Sequence, residues 1–155
     1  MPKIDIANTP VRSGTIYPGD YARIVEDRAK QRLGDAGGLD QFGVNLTRLR
    51  PGAASAHRHW HEAEDEFIYV LEGEVMLIED DGETVLREGD AAAFKASVAN
   101  GHHLVNQSGK DAVILEAGTR AMNEPCRYTD PDVDMVMAKK DGQWLPPRRE
   151  NGESL

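Results

Sequence analysis

Several things are scarce in this chain, and each scarcity closes off a class of protein. Cysteine occurs once, at Cys126, so no internal disulfide can form; a structural thiol in a reducing compartment is the expectation. Apolar runs are short. Phe67-Ile68-Tyr69-Val70-Leu71 is strand-sized, far below the about 20 residues that a membrane span requires. Positive charge is in deficit, with 18 Lys and Arg against 27 Asp and Glu and a formal net charge of −9. Binding to a phosphate backbone or an anionic membrane runs on clustered cations, so neither partner is expected. No helix-turn-helix segment is present to argue otherwise. The opening Met-Pro-Lys-Ile-Asp has no apolar signal core, and a cytoplasmic protein with a small-molecule partner is the expectation.

What is present is one domain's worth of chain. At 155 residues it can bury roughly two thirds of its unfolded surface. From Gln41 to about Gly118 short apolar runs alternate with turn chemistry at Pro51-Gly52, Glu72-Gly73-Glu74, Asp81-Gly82, Glu88-Gly89-Asp90 and Ser108-Gly109-Lys110. The runs predict strands over Phe42–Leu49, Glu66–Leu71, Val75–Ile78, Thr84–Leu86, Ala91–Phe94, His102–Asn106 and Ala112–Ala117. Such punctuation argues an all-β sandwich or barrel, here over residues 41–119. Residues 1–40 read as an N-terminal arm with a short polar, Arg-rich helix in Asp20–Arg32, stopped by Gly34 and Gly37-Gly38. Residues 120–155 read as a C-terminal extension with one apolar run, Val133–Ala138, and a Pro-rich charged tail from Pro146 expected to be disordered.

In Glu66–Leu71 both parities are apolar, so both faces of that strand must be covered. A barrel interior covers only one. The other needs an arm, a second sheet or another subunit, and a homodimer is the expectation.

The chemistry-bearing pattern is His59-x-His61-x4-Glu66, with His102-x3-Asn106 further on. Imidazoles at alternate strand positions share a face, so with a nearby carboxylate they can converge on one ion. His102, from a separate apolar run, supplies one more nitrogen across the barrel. A solvated polar loop is the competing reading, and it is disfavoured because an apolar strand follows that would bury these side chains.

Residues 51–73 run Pro-Gly-x4-His-x-His-x-His-x4-Glu-x6-Gly, and residues 89–106 run Gly-x12-His-x3-Asn. This resembles the two motifs of the cupin superfamily, in order, over roughly residues 41–119. His59, His61, Glu66 and Gly73 match the first motif; Gly89, His102 and Asn106 match the second. The resemblance implies a cupin-like antiparallel jelly-roll β-barrel holding one divalent ion on His59, His61, Glu66 and His102. The chain departs from the family at Lys95 and Ser97, where Pro and Gly are usual, and in two extra residues near Asn100-Gly101. A slip of one residue would turn His103 inward instead of His102; His102 keeps the spacing to Asn106. His57 is the other alternative ligand.

Three neutral imidazoles and a carboxylate suit Fe, Mn, Ni, Co or Zn in the divalent state and leave one or two coordination positions open. Catalytic roles outside that set are assigned only as candidates. Glu64, with Glu62 and Asp65, could supply a base; Arg48, with Arg50 and Arg58, could clamp an anionic group. Each also reads as ordinary surface charge. Gly73 and Gly89 have backbone roles, and Asn106 is expected to orient by hydrogen bond rather than to ligate. The expected function is a metal-dependent enzyme of isomerase or lyase type acting on a sugar phosphate or carboxylic acid. A non-haem dioxygenase is the alternative within enzymes, and a non-catalytic ligand-binding or sensor module is the alternative outside them.

Overall fold

The computed structural model describes residues 3–155. Its strands are β1 (Val11–Ser13), β2 (Arg28–Arg32), β3 (Phe42–Leu49), β4 (His59–His61), β5 (Glu66–Glu72), β6 (Glu74–Glu79), β7 (Gly82–Arg87), β8 (Ala91–Phe94), β9 (His103–Val105), β10 (Ala112–Thr119), β11 (Glu124–Tyr128), β12 (Val136–Lys140) and β13 (Gln143–Trp144). One antiparallel sheet has the order β1-β2-β3-β10-β5-β8. Opposite it lie β13-β12-β11-β4 and β7-β6-β9. Among the described residues a single antiparallel bridge, His59 with His102, joins those two pieces into one face. The two faces make the jelly roll.

The core lies between them. Leu49, Ile68, Val70 and Ile114 from the six-stranded sheet meet Val75, Leu77, Leu86 and Leu104 from the other side. Each fully buried aliphatic side chain of this kind contributes about 1.5–3 kcal/mol of transfer free energy. A second cluster of Cys126, Val133, Met135 and Met137 packs under Tyr17, Tyr21 and Tyr128, tying the C-terminal extension to the N-terminal arm.

All seven predicted strands are present, with ends shifted by one or two residues at most. The Asp81-Gly82 hairpin joins β6 to β7, though the two loop residues are Asp80 and Asp81 and Gly82 already pairs with Glu79. Two expectations are corrected. The helix expected over Asp20–Arg32 is a 3-10 segment over Gly19–Val25 followed by β2. Its larger apolar residues, Tyr21, Ile24 and Val25, fall within the 3-10 segment, whereas residues 28–32 pair fully with β3, and Lys30 reaches Glu116 at 2.7 Å. The tail from Pro146, expected to be disordered, folds back: Arg148 exchanges backbone hydrogen bonds with Val136, and Arg149 pairs with Asp134 at 2.8 Å.

Gly73 turns β5 into β6 with a φ of 78°, and a Cβ there would sit 2.8 Å from the Asp111 carbonyl oxygen. Neither the left-handed backbone nor that backbone neighbour can give way cheaply. Gly73→Ala should lower stability by about 2 kcal/mol or more in urea denaturation. A midpoint equal to the parent's would refute this account of the turn.

Candidate metal centre

β4 is short, but both of its edges are taken. On one side it pairs with β11, Cys126 opposite His61 and Tyr128 opposite His59. On the other, the His59 and His102 amides exchange hydrogen bonds with each other's carbonyls at 3.2 and 2.9 Å. His59 and His61 are two apart, so their rings share the inner face. Glu66 reaches them from the first residue of β5, in the opposite sheet.

The three imidazoles gather around one carboxylate oxygen. His102 Nε2 is 2.9 Å from Glu66 Oε2, His61 Nε2 3.6 Å and His59 Nε2 3.9 Å. Donor atoms of His59, Glu66 and His102 all lie within 4.8 Å of one another; His61 falls in a second such group with His59 and Cys126. Adjacent ligands around an ion with bonds of about 2.1 Å stand roughly 3.0–3.4 Å apart; His102 and Glu66 are near that spacing, whereas His59 and His61 stand somewhat farther from the carboxylate and would close in on a bound ion.

The opposite ring nitrogens have partners of their own. Nδ1 of His59 faces the His57 carbonyl at 2.7 Å, Nδ1 of His61 the Glu124 carboxylate at 3.0 Å, and Nδ1 of His102 the Asn100 carbonyl at 3.3 Å. For His59 and His61 the short contacts to acceptors favour the proton on Nδ1, which turns the Nε2 lone pair toward Glu66. The His102 contact to Asn100 is longer, and its Nε2 stands at hydrogen-bond distance from Glu66, where without an ion Nε2–H donates to the carboxylate. Three imidazole nitrogens and one carboxylate form a donor set that fits a divalent ion.

Burial pushes the His59 imidazole down to about 4 despite the neighbouring Glu66, so at neutral pH it is uncharged. Burial alone would raise Glu66; the hydrogen bond from His102 and the attraction of the surrounding imidazoles outweigh it and hold the carboxyl below the usual range. Burial pushes the Cys126 thiol up to about 12, so it stays protonated and apolar in character. Phe94 stacks on His102 with centroids 3.6 Å apart and planes within 3°, which locks that ring's orientation.

The cluster opens into a cleft of about 190 Å³ lined by Trp60, Glu79, Phe94, Lys95 and Asn100 beside His61, Glu66 and His102. The irregular turn that leads to His102 is braced from both sides. Ser97 takes a φ of 66°, the left-handed value that a glycine adopts without strain, and bonds back to the His61 and Glu62 carbonyl region at 2.9 and 2.6 Å. Gly101 lets Thr129 pass where a Cβ would collide.

The remaining candidates fall elsewhere. His57 packs among Tyr17, Tyr21 and Tyr128 and bonds the Tyr21 carbonyl at 2.8 Å, and His103 bonds the Ala56 carbonyl at 2.9 Å; neither joins the cluster. Arg48 is half-exposed on the outer face of the six-stranded sheet beside Asp111, away from the cleft, because its strand parity is opposite to the inward Thr47 and Leu49. Arg50 pairs with Asp27, and Arg58 with Asp80 and Asp130. Glu64 lines the cleft, but both its oxygens are taken by Lys139 and one also by the Ala121 amide. Glu62 pairs with Arg127 and Asp65 with Lys95. Asn106 is fully buried and bonds the Leu49 and Lys110 carbonyls, orienting the chain around its own turn.

Sequence reasoning missed Glu124, Phe94 and Lys139. Glu124 is carried by the extension and meets His61 only because β11 pairs with β4, which no local spacing announces.

The comparisons agree with this architecture. A family profile described as Cupin domain matches residues 45–118. A crystal structure of a sugar phosphate isomerase from a cupin superfamily, from Silicibacter pomeroyi, is 43% identical, with 99% of this chain and 96% of that one covered and a TM-score of 0.92. A putative sugar phosphate isomerase from Acidithiobacillus ferrooxidans is 27% identical, with 83% of this chain and 80% of that one covered and a TM-score of 0.72. The polyketide cyclase RemF from Streptomyces resistomycificus is 20% identical, with 86% and 89% covered and a TM-score of 0.67, and shares the fold. No curated protein matches.

For protein kept free of metal by a chelator, the depressed histidine sets a pH dependence. Unfolded, His59 takes up a proton near pH 6.5; folded, it resists until about 4. Between those values the unfolded chain binds more protons, so stability is complete above the window and is lost as pH falls through it. Glu66 acts in the same direction at lower pH. Unfolding free energies from denaturant titration should therefore fall steadily from pH 7 to pH 4, by about 3 kcal/mol from this histidine, and the fall should shrink in His59→Ala. A flat profile would contradict a neutral, buried His59.

Proposed function

The chain belongs to the cupin superfamily, and on that premise we propose that it is a metal-dependent enzyme with isomerase-type chemistry on a small, oxygen-rich, anionic substrate of the sugar-phosphate class. The observation that carries the reading is the convergence of three imidazole Nε2 atoms and the Glu66 carboxylate beneath an accessible cleft. Its likeness at 43% identity to a protein described as a sugar phosphate isomerase supports the substrate class.

His59, His61, Glu66 and His102 are the proposed ligands of one Fe, Mn, Ni, Co or Zn ion. When bound, the ion supplies Lewis-acid polarisation of a substrate carbonyl or hydroxyl. The chain's own residues do the rest. Phe94 fixes His102, and Trp60 and Phe94 present apolar walls to a sugar's carbon face. Lys95, exposed at the mouth, offers positive charge to an anionic group, with Asp65 as its resting partner.

The outer face of the six-stranded sheet supports a homodimer. Phe67, Tyr69 and Leu71 remain about 40% exposed (42, 38 and 41%), and cross-strand partners Leu115 and Ala117 extend the same apolar face. The N-terminal arm does not cover it, because β1 and β2 extend the sheet edge instead. A second copy seated on this face would bury it about a two-fold axis. Sedimentation at micromolar concentration should give twice the 17.1 kDa chain mass, and Tyr69→Lys with Leu71→Lys should give the chain mass. A monomeric parent would reject the dimer.

Protein purified without oxygen should hold a stoichiometric divalent ion and interconvert aldose and ketose phosphates. His59→Ala with Glu66→Ala should lose both ion and turnover while keeping its circular dichroism spectrum. Retention of the ion by that double variant would reject the ligand set. Iron with substrate-dependent oxygen uptake would replace isomerase chemistry by a dioxygenase.

A further inference from the structure

The structure assigns to Glu124, in the C-terminal extension, the role of positioning residue for the metal ligand His61; the inference rests on the metal-centre reading above. Glu124 is 1% exposed, the most deeply buried carboxylate of the site region, and lies beyond the residues 45–118 that match the cupin profile. A buried carboxylate is costly unless every lone-pair direction is answered by a donor. Here one oxygen accepts from His61 Nδ1 and from the Glu62 amide, both at 3.0 Å, and the other from the Ala63 amide at 2.8 Å. The three donors belong to consecutive residues of the ligand segment. The carboxylate therefore grips the end of β4 where the chain leaves toward Glu66.

Three consequences follow from that grip. It holds the Nδ1–H tautomer of His61, so Nε2 presents a lone pair inward. It fixes ring rotation, because the imidazole is pinned on one side by Glu124 and faces Glu66 at 3.6 Å on the other. It also donates negative charge through the ring, which makes Nε2 a stronger ligand. The backbone delivers Glu124 to this point through the β11–β4 pairing, in which Cys126 opposes His61, and through the β11–β12 hairpin that backs it. The extension thus completes a coordination shell whose ligands all lie in the barrel.

Glu124→Gln keeps volume and the ability to accept one or two of the three hydrogen bonds, but its amide NH2 must face a donor. Titration of Mn(II) and Co(II) against a competing chelator should show affinity about 10–100-fold weaker than the parent's, with an altered Co(II) absorption band. Met137→Ala serves as the control, since Met137 packs in the apolar cluster of the extension and stands one strand further from His61 than Cys126 does, with no hydrogen bond to the ligand segment. It should lower the melting temperature yet leave affinity within about 3-fold, well inside the effect expected for a lost outer partner. Parent-like affinity in Glu124→Gln, or equal weakening in Met137→Ala, would overturn the positioning role. A parent that binds neither ion would instead bring down the metal-centre reading and this inference with it. Should Glu124→Gln fail to fold, imidazole nitrogen NMR of the Zn(II)-loaded parent decides: a proton on His61 Nδ1 is expected, and a proton on its Nε2 overturns the assignment.

Discussion

The two backbone hydrogen bonds between His59 and His102 are the joint on which this molecule turns. They are the one bridge that links the β4 edge to the strand of His102, and so they convert two separate sheet fragments into a single face opposite the six-stranded sheet. The same exchange sets two imidazoles side by side, with ring centroids 5.3 Å apart. Fold closure and ligand placement are thus one event. Strand pairing of this kind is cheap in side-chain entropy, because the rings inherit their positions from the ladder rather than from long flexible stems.

The site's electrostatics are arranged from behind. Glu64, Glu66 and Glu124 crowd within reach of His61, and three carboxylates in a buried volume would repel unless separately compensated. Each has a different partner. Lys139 neutralises Glu64, three N–H groups answer Glu124, and Glu66 faces the imidazoles. Lys139 is itself held over the Trp144 ring, 4.6 Å from its centroid, so the last hairpin contributes to this compensation. Only Glu66 is left to share its charge with the cation proposed for the centre.

The barrel strands and the proposed ligand positions were legible because each rests on local pattern. Short apolar runs between turn residues mark β3, β5 and β8, and the spacing His59-x-His61-x4-Glu66 depends only on strand parity and a short loop. The helix expected over Asp20–Arg32 failed because its residues are satisfied by β3 and Glu116, partners distant in sequence. Arg48 failed as a site residue for a related reason: proximity to the ligand loop in sequence says nothing about which side of the sheet a residue occupies, and one step in parity puts it outside. Glu124 and Lys139 were invisible because their meaning comes from the pairing of an extension with β4. Charged residues in a polar segment look like solvated surface until the fold buries them.

On the proposed reading, this division of charge decides what the front of the site can accept. A divalent ion with Glu66 as its one anionic ligand carries a residual positive charge, since the three histidines are neutral and Glu64 and Glu124 are answered from behind. An anionic or hydroxyl-rich substrate is then attracted from the cleft side, where Lys95 stands at the mouth. Had Lys139 been absent, Glu64 would project its charge into the same cleft and oppose such a ligand. The overall charge of −9 is therefore no guide to substrate charge: the acid-rich surface is solvated and screened within about a Debye length, whereas the ion and its immediate partners act at a few ångströms in a medium of lower dielectric.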